Sequence, residues 1–284
     1  MTFSNDKFSA VWVSHSSMGD FLKCPRLYYL HNVYKDSKTR RKVGIVAPAM
    51  SLGQAVHGVL EPLANIKSEE RTNVDLDKKF SEEWAKVSGK IGGFTSPEEE
   101  KSFFERGRAM IERVKNHPQP LLKKAFKNKG ELPHFYLSQE DNLILCGKVD
   151  WLQYVEETDQ VHILDFKTGK YDEKEDSLQL PIYHLIVDSI QKRKVEGASY
   201  WYIDRDDAPI AVELPDLVSA RERVMKVAIQ VKKARDSKEF LCPQGEKGCR
   251  HCEPYELIMR GKAEYVGIGG YNQDLYLVPK IEYN

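Results

Sequence analysis

Apolar residues recur at helical spacing through most of the first 120 positions. In "MSLGQAVHGVLEPLANI" (50–66), Leu52, Val56, Val59, Leu60 and Leu63 share one stripe, as in a helix with one face in a core. "SSMGDFLKCPRLYYLHNVY" (16–34) predicts a helix opening at Ser16 or Ser17, with Asp20 completing a weak variant of the capping box. Helical patterns also span about 73–88 and 97–116, parted by the Gly-rich "SGKIGGF" (88–94). The stretch 36–48, basic and then punctuated by Gly and Pro, predicts an exposed loop.

After residue 130 the pattern changes. "PHFYLS" (133–138), "NLILCGKVDWLQYV" (142–155) and "QVHILDFKTG" (160–169) are rich in β-branched and aromatic residues and predict strands. A long helix is expected over 174–194, a strand at "ASYWYID" (198–204) and a basic amphipathic helix over 214–238. A helical annex followed by β-β-β-α-β-α predicts an α/β fold with a mixed sheet. One domain is expected over 1–284, with a helical part at 1–130, a core at 131–240 and a cysteine-rich segment at 241–284.

A chain of 284 residues is long enough for one sizeable core. Its formal net charge is zero, so bulk charge argues neither for nor against nucleic acid. The basic runs "KTRRK" (38–42), "KKAFKNK" (123–129), "QKRK" (191–194) and "VKKAR" (231–235) could line a groove that follows a phosphate backbone. For any single run, a solvated helix face or loop is the usual account. No apolar run approaches the roughly 20 residues of a membrane span. The N-terminal "MTFSNDKFSAVWVSHSS" lacks the basic and apolar regions of a secretory signal. A cytoplasmic, non-membrane protein is the expectation. Five cysteines, an odd number, argue against a disulfide framework in that setting.

The candidate chemistry begins at a hairpin. The polar "EETD" (156–159) lies between two strand-like runs, so Val155 would pair with Gln160 across a four-residue loop. That register sets Asp150 opposite Asp165, with Cβ atoms roughly 4.5–5.5 Å apart. Alternation adds Ile163 and Lys167 to the face of Asp165. Two carboxylates so close repel unless a cation lies between them or one is protonated, and hard oxygen ligands suit Mg²⁺ or Mn²⁺. Spacing alone leaves a second account open, in which the aspartates cap strand ends and Lys167 is their ion-pair partner.

The order of several short motifs adds to this. "GKVD" (147–150), "LDFKTG" (164–169) and "QLPIY" (179–183) resemble the PD-(D/E)XK nuclease superfamily, above all its RecB-type exonuclease branch. "HSSMGDFLKCPRLYYL" (15–30) and "GQAVHGVL" (53–60) resemble the N-terminal segments of that branch. The resemblance implies a restriction-endonuclease-like core. It also implies metal ligation by His57, Asp150, Asp165 and the backbone carbonyl of Phe166. Lys167 would orient or activate the attacking water, and Gln179 and Tyr183, at i,i+4 on one helix face, would point into the site. The implied substrate is DNA, single-stranded or with free ends. Implied settings are repair, recombination or CRISPR spacer acquisition, with protein partners there. Two other readings stay open: a silent DNA-binding or assembly subunit, and an RNA- or structure-specific nuclease. His15, His31, His134 and His184 have no partner pattern.

"CPQGEKGCRHC" (242–252) has the spacing C-x₆-C-x₂-C, one thiolate short of a closed tetrahedral set. Cys24 is the natural fourth. Relatives of the AddB type, of the exonuclease V type and among spacer-acquisition nucleases share this arrangement, so the resemblance implies a [4Fe–4S] cluster on Cys24, Cys242, Cys249 and Cys252. Thiolates suit Zn²⁺ as well, and spacing does not choose between them. Cys146, in an apolar strand, is expected to be an inert buried thiol. "GIGG" (267–270) reads as a turn, and no G-x-x-x-x-G-K-[ST] loop occurs.

Overall fold

A computed structural model describes residues 7–126 and 132–280, so Lys127, Asn128 and Lys129 of the second basic run lie outside it. Up to the chain's middle the elements are β1 (Val11–Val13), α1 (His15–Lys23), α2 (Pro25–Tyr28), β2 (Val43–Ile45), α3 (Pro48–Leu60), α4 (Leu76–Ala85), α5 (Pro97–Asn116) and α6 (Gln119–Leu122). Strands β3 (His134–Ser138), β4 (Leu143–Cys146), β5 (Trp151–Val155) and β6 (Gln160–Lys167) follow. The remainder comprises α7 (Gln179–Ile190), β7 (Val195–Tyr202), β8 (Ile210–Val212), α8 (Leu217–Ser237), α9 (Glu253–Met259), β9 (Glu264–Ile268) and β10 (Asp274–Leu277). The fold is mixed α/β, as the alternation of patterns predicts.

Two compact units form, each from separated stretches of chain. One comprises Met1–Ala47, Tyr136–Leu145 and Glu222–Asn284, the other Pro48–Phe135 and Cys146–Arg221. In the first unit, β1 pairs in parallel with β4 in the sheet β1-β4-β3, and β2 pairs in parallel with β10 in the sheet β2-β10-β9. Leu27, Leu30, Val43, Tyr255 and Ile258 pack there around the four cysteines.

The second unit is built on the sheet β5-β6-β7-β8, in which β6 lies antiparallel to β5 and parallel to β7. Trp151, Leu164, Phe166 and Trp201 turn one face of it into a core shared with Leu52, Val56 and Val59 of α3, Phe80 and Trp84 of α4, and Met110 of α5. Burial of each such side chain stabilises by roughly 1.5–3 kcal/mol. Gly107 lets α5 approach: a Cβ there would lie 2.5 Å from Phe80 Cζ and 2.8 Å from Leu52 Cδ1.

Several boundaries differ from the sequence expectation, each for a local reason. The first helix opens at Ser14 rather than at Ser16 or Ser17, through a reciprocal capping box with Ser17. It then stops, because Pro25 disfavours helical backbone at Cys24; Cys24 is extended, and α2 restarts with Pro25 in its first turn. The expected exposed loop at 36–48 contains β2. The run 142–155 divides at Gly147–Asp150 into β4 and β5, which join different sheets. The helix expected over 174–194 shortens to α7, since the carbonyl of Lys194 already accepts from Val161 N–H at the entry to β7. Of "GIGG", read as a turn, Gly267 and Ile268 instead end β9 because they pair with β10, and the turn to β10 follows at 269–272, where Tyr271 and Asn272 adopt left-handed backbone.

Candidate functional site

The hairpin of β5 and β6 has the register read from its loop: Val155 pairs with Gln160 and Trp151 with Leu164. One step further along lie Asp150 and Asp165. Alternation along β6 sends Leu164 and Phe166 into the core with Trp151 and Trp201, leaving Asp165 and Lys167 to the opposite face. Asp165 is only 2 % exposed. A carboxylate buried that deeply in a sheet needs partners.

Those partners are side chains of the same unit. Gln179, at the start of α7, donates from Nε2 to Asp165 Oδ1 at 3.2 Å and to Tyr183 Oη at 3.2 Å. Its Oε1 accepts from Lys167 Nζ. Lys167 Nζ also donates to Glu173 Oε2 at 2.7 Å and rests 4.6 Å above the centre of the Tyr200 ring. It lies 2.9 Å from Asp165 Oδ2 as an ion pair, and this buried oxygen has no other partner among the described residues. Although burial favours the neutral amine, the charge of Asp165 and the bond to Glu173 outweigh it and raise the Lys167 pKa.

Helix α3 presents the imidazole. Leu52, Val56, Val59 and Leu60 face the core, which leaves His57 half-buried beside the hairpin. Its Nδ1 lies 3.1 Å from Glu61 Oε1 and 3.5 Å from Asp150 Oδ2. Asp150 Oδ2 accepts from Phe166 N–H at 3.0 Å, and Glu61 also pairs with Lys148. Burial opposes protonation of His57, yet the Glu61 bond and the Asp150 charge raise its pKa. Burial and the neighbouring charge of Asp165 push the Asp150 carboxyl up to about 8. Burial, with the same aspartates beside it, raises Tyr183 far above the usual phenol range.

One ligand atom each from His57, Glu61 and Asp150 lies within 4.8 Å of the other two. Glu61 is absent from the sequence-derived set. Its position four residues after His57 is the signal that could have found it, since i,i+4 residues share a helix face. Glu173 had no such signal, because it sits in the loop after β6 and meets Lys167 only through the tertiary fold. Phe166 contributes its N–H to Asp150.

This donor set fits a divalent cation. Burial and the charge of Asp165 drive Asp150 against ionisation, Asp165 Oδ2 has only the Lys167 ammonium beside it among the described residues, and the rest of the set is imidazole and carboxylate. A divalent cation offers these carboxylates charge and a further partner together.

Elsewhere, His31 Nδ1 lies 2.8 Å from Asp20 Oδ2, and His184 Nδ1 meets the Pro215 carbonyl at 2.8 Å. Arg41, Lys124, Arg193 and Lys232, one from each basic run, are in ion pairs with Asp274, Glu156, Asp159 and Asp236. No helix among the described residues is long and apolar enough to cross a membrane. In the first unit, one Sγ from each of Cys24, Cys242, Cys249 and Cys252 lies within 4.8 Å of the other three. Cys146 is buried, and burial raises its thiol pKa to about 11.

No curated protein matches the chain in sequence. The family profile of the PD-(D/E)XK nuclease superfamily matches residues 12–256, a span that holds both the carboxylate–imidazole site and the four cysteines. Asp150, the buried Asp165 and Lys167 two positions on thus lie where that profile runs, and the chain belongs to the PD-(D/E)XK nuclease superfamily.

Proposed function

We propose that the protein is a metal-dependent deoxyribonuclease of the RecB-type branch that hydrolyses phosphodiesters in single strands or at free ends. The observation that carries the reading is Asp150 one step beyond the Trp151–Leu164 pair, the buried Asp165 one step beyond it on the other strand, and Lys167 2.9 Å from Asp165 Oδ2. In this reading His57, Asp150 and Asp165 hold Mg²⁺ or Mn²⁺, with Glu61 within reach and the Phe166 carbonyl as a further ligand. The ion would polarise a phosphoryl oxygen and lower the pKa of a bound water.

The chain's own groups do the rest. Gln179 fixes the rotamer of Asp165, and Glu173 with Asp165 keeps Lys167 charged and aimed at the site. The ammonium stabilises charge developing on the phosphate and orients the attacking water. The His57 side chain keeps 26 % of its surface exposed, so the site opens to solvent on that side.

Cleavage of labelled single-stranded DNA in Mn²⁺, wild type against Asp165→Ala, tests the reading. Wild type is expected to cut, and the variant to lose at least about 10²-fold in rate, as when one electrostatic group of an active site is deleted. If both are inert while both still bind the strand, the protein is a binding module instead. Duplex, flap and RNA substrates in the same assay settle the preference.

A further inference from the structure

The resemblance implies a [4Fe–4S] cluster on the four cysteines, and the spacing of their sulfurs does not suit one. In such a cluster each thiolate binds a different iron, so the sulfurs stand a cluster's width apart. Here all four Sγ atoms fall within 4.8 Å of one another. Cys249 and Cys252 are separated by 3.8 Å, and Cys252 and Cys242 by 3.9 Å. Four thiolates around one ion, each about 2.3 Å from it, stand about 3.8 Å apart by tetrahedral geometry. The space between these sulfurs matches one ion and is too small for a cubane of iron and sulfide.

We infer that Cys24, Cys242, Cys249 and Cys252 hold a single Zn²⁺ in a closed tetrahedral thiolate site. Soft thiolates select such an ion, and a full set of four protein ligands leaves no open position for substrate, so the site is structural. Relative exposure is 0 % for Cys24 and Cys252, 5 % for Cys242 and 7 % for Cys249. Without an ion, four buried thiols would face one another; burial raises the pKa of both Cys24 and Cys252.

The backbone around Cys249 and Cys252 is shaped for thiolate charge. Gly245 and Gly248 take positive φ, 79° and 82°, and fold the 242–252 loop back on itself. A Cβ on Gly248 would lie 3.2 Å from Cys252 Sγ, so this position suits glycine twice over. Cys249 N–H donates to Cys252 Sγ at 3.2 Å. Burial raises the Cys249 thiol, but the amides of Cys252 and His251, with the side chains of Cys242 and Cys252, more than offset it and bring the pKa down to about 7. Cys24 reaches the set from the break between α1 and α2, and Arg26 Nη1 donates to the Glu246 carbonyl at 3.0 Å beside it. The ion would therefore tie the start of the first unit to its end.

Metal analysis of wild type decides the matter, after anaerobic expression with iron, cysteine and zinc all in excess. The expected protein is colourless, carries about one zinc per chain and no acid-labile sulfide, and takes up Co²⁺ in exchange with the absorption bands of a tetrahedral thiolate site. Brown protein containing iron and labile sulfide overturns the proposal. So does a lone iron, or no metal at all in protein that is folded by circular dichroism. Since Cys24→Ser removes a ligand that holds the fold together, Co²⁺ uptake by wild type and by Cys146→Ser is the second measure; both should bind alike, and loss of the thiolate bands in Cys146→Ser alone overturns the four-cysteine assignment. Asp165→Ala should keep its zinc, which separates this test from the nuclease assay.

Discussion

Four sulfurs close on one another in the first unit, while in the second every candidate ligand is also tied to another protein group. His57 meets Glu61, Asp150 accepts from the Phe166 amide, and Asp165 accepts from Gln179. The difference lies in what organises each centre. Hydrogen bonds from Gln179 of α7 to Asp165 and from the Phe166 amide to Asp150 hold the carboxylates in place, so that site keeps its shape before an ion arrives. Much of what holds the cysteine loop to the break at Cys24 is the ion they would share, so metal and fold are coupled there. One centre should fail by losing chemistry, the other by losing structure.

Substituting a ligand in each centre breaks the comparison most sharply. Cys252→Ser should melt the first unit well below wild type, since structural zinc supplies up to about 10–16 kcal/mol of apparent folding free energy in small domains. Asp165→Asn should leave the metal-free melting temperature unchanged or higher, because it removes a buried charge that repels Asp150. Thermal unfolding of both variants checks this. Equal destabilisation would mean that the two centres are organised alike.

A smaller effect is expected at Glu61. Glu61→Gln keeps the shape but removes the charge that holds His57 and Lys148, and should weaken Mn²⁺ binding by about 10–100-fold, as for other outer partners of a ligand. Titration calorimetry reads it directly, and an unchanged affinity would remove Glu61 from the site.

The smallest effect depends on pH. The Asp150 carboxyl, ordinarily near 3.8, lies at about 8 in the folded protein, so the metal-free fold holds a proton that the unfolded chain releases. Its contribution to stability is therefore greatest below the ordinary value and is lost as pH rises through the folded one, by at most about 1.4 kcal/mol per pH unit. An incoming cation displaces that proton, so the rise in melting temperature on adding Mg²⁺ should be larger near pH 8 than near pH 6. A rise indifferent to pH would show that Asp150 is already ionised without metal.

Much of this site was legible because it is local. A four-residue loop and period-two alternation are enough to give the Trp151–Leu164 register, with Asp150 and Asp165 one step beyond it, and to put Lys167 on the face of Asp165. His57 followed only from the resemblance, since a lone histidine on an apolar helix carries no partner signal. Glu61 was within reach of the i,i+4 rule. Glu173 and Tyr200 were not, because a loop and a neighbouring strand bring them to Lys167 from 6 and 33 positions away. Likewise "NLILCGKVDWLQYV" looks like one strand, and only the packing divides it between two sheets.

By itself the sequence determined the alternation of helix and strand, the hairpin register and the kinds of ligand at each centre, all of which depend on residues near one another in the chain. The tertiary structure alone decided which polar groups hold those ligands, how the chain divides between two units, and how closely the four sulfurs approach. Those distances depend on how residues more than 200 positions apart are brought together, and no spacing along the chain encodes them.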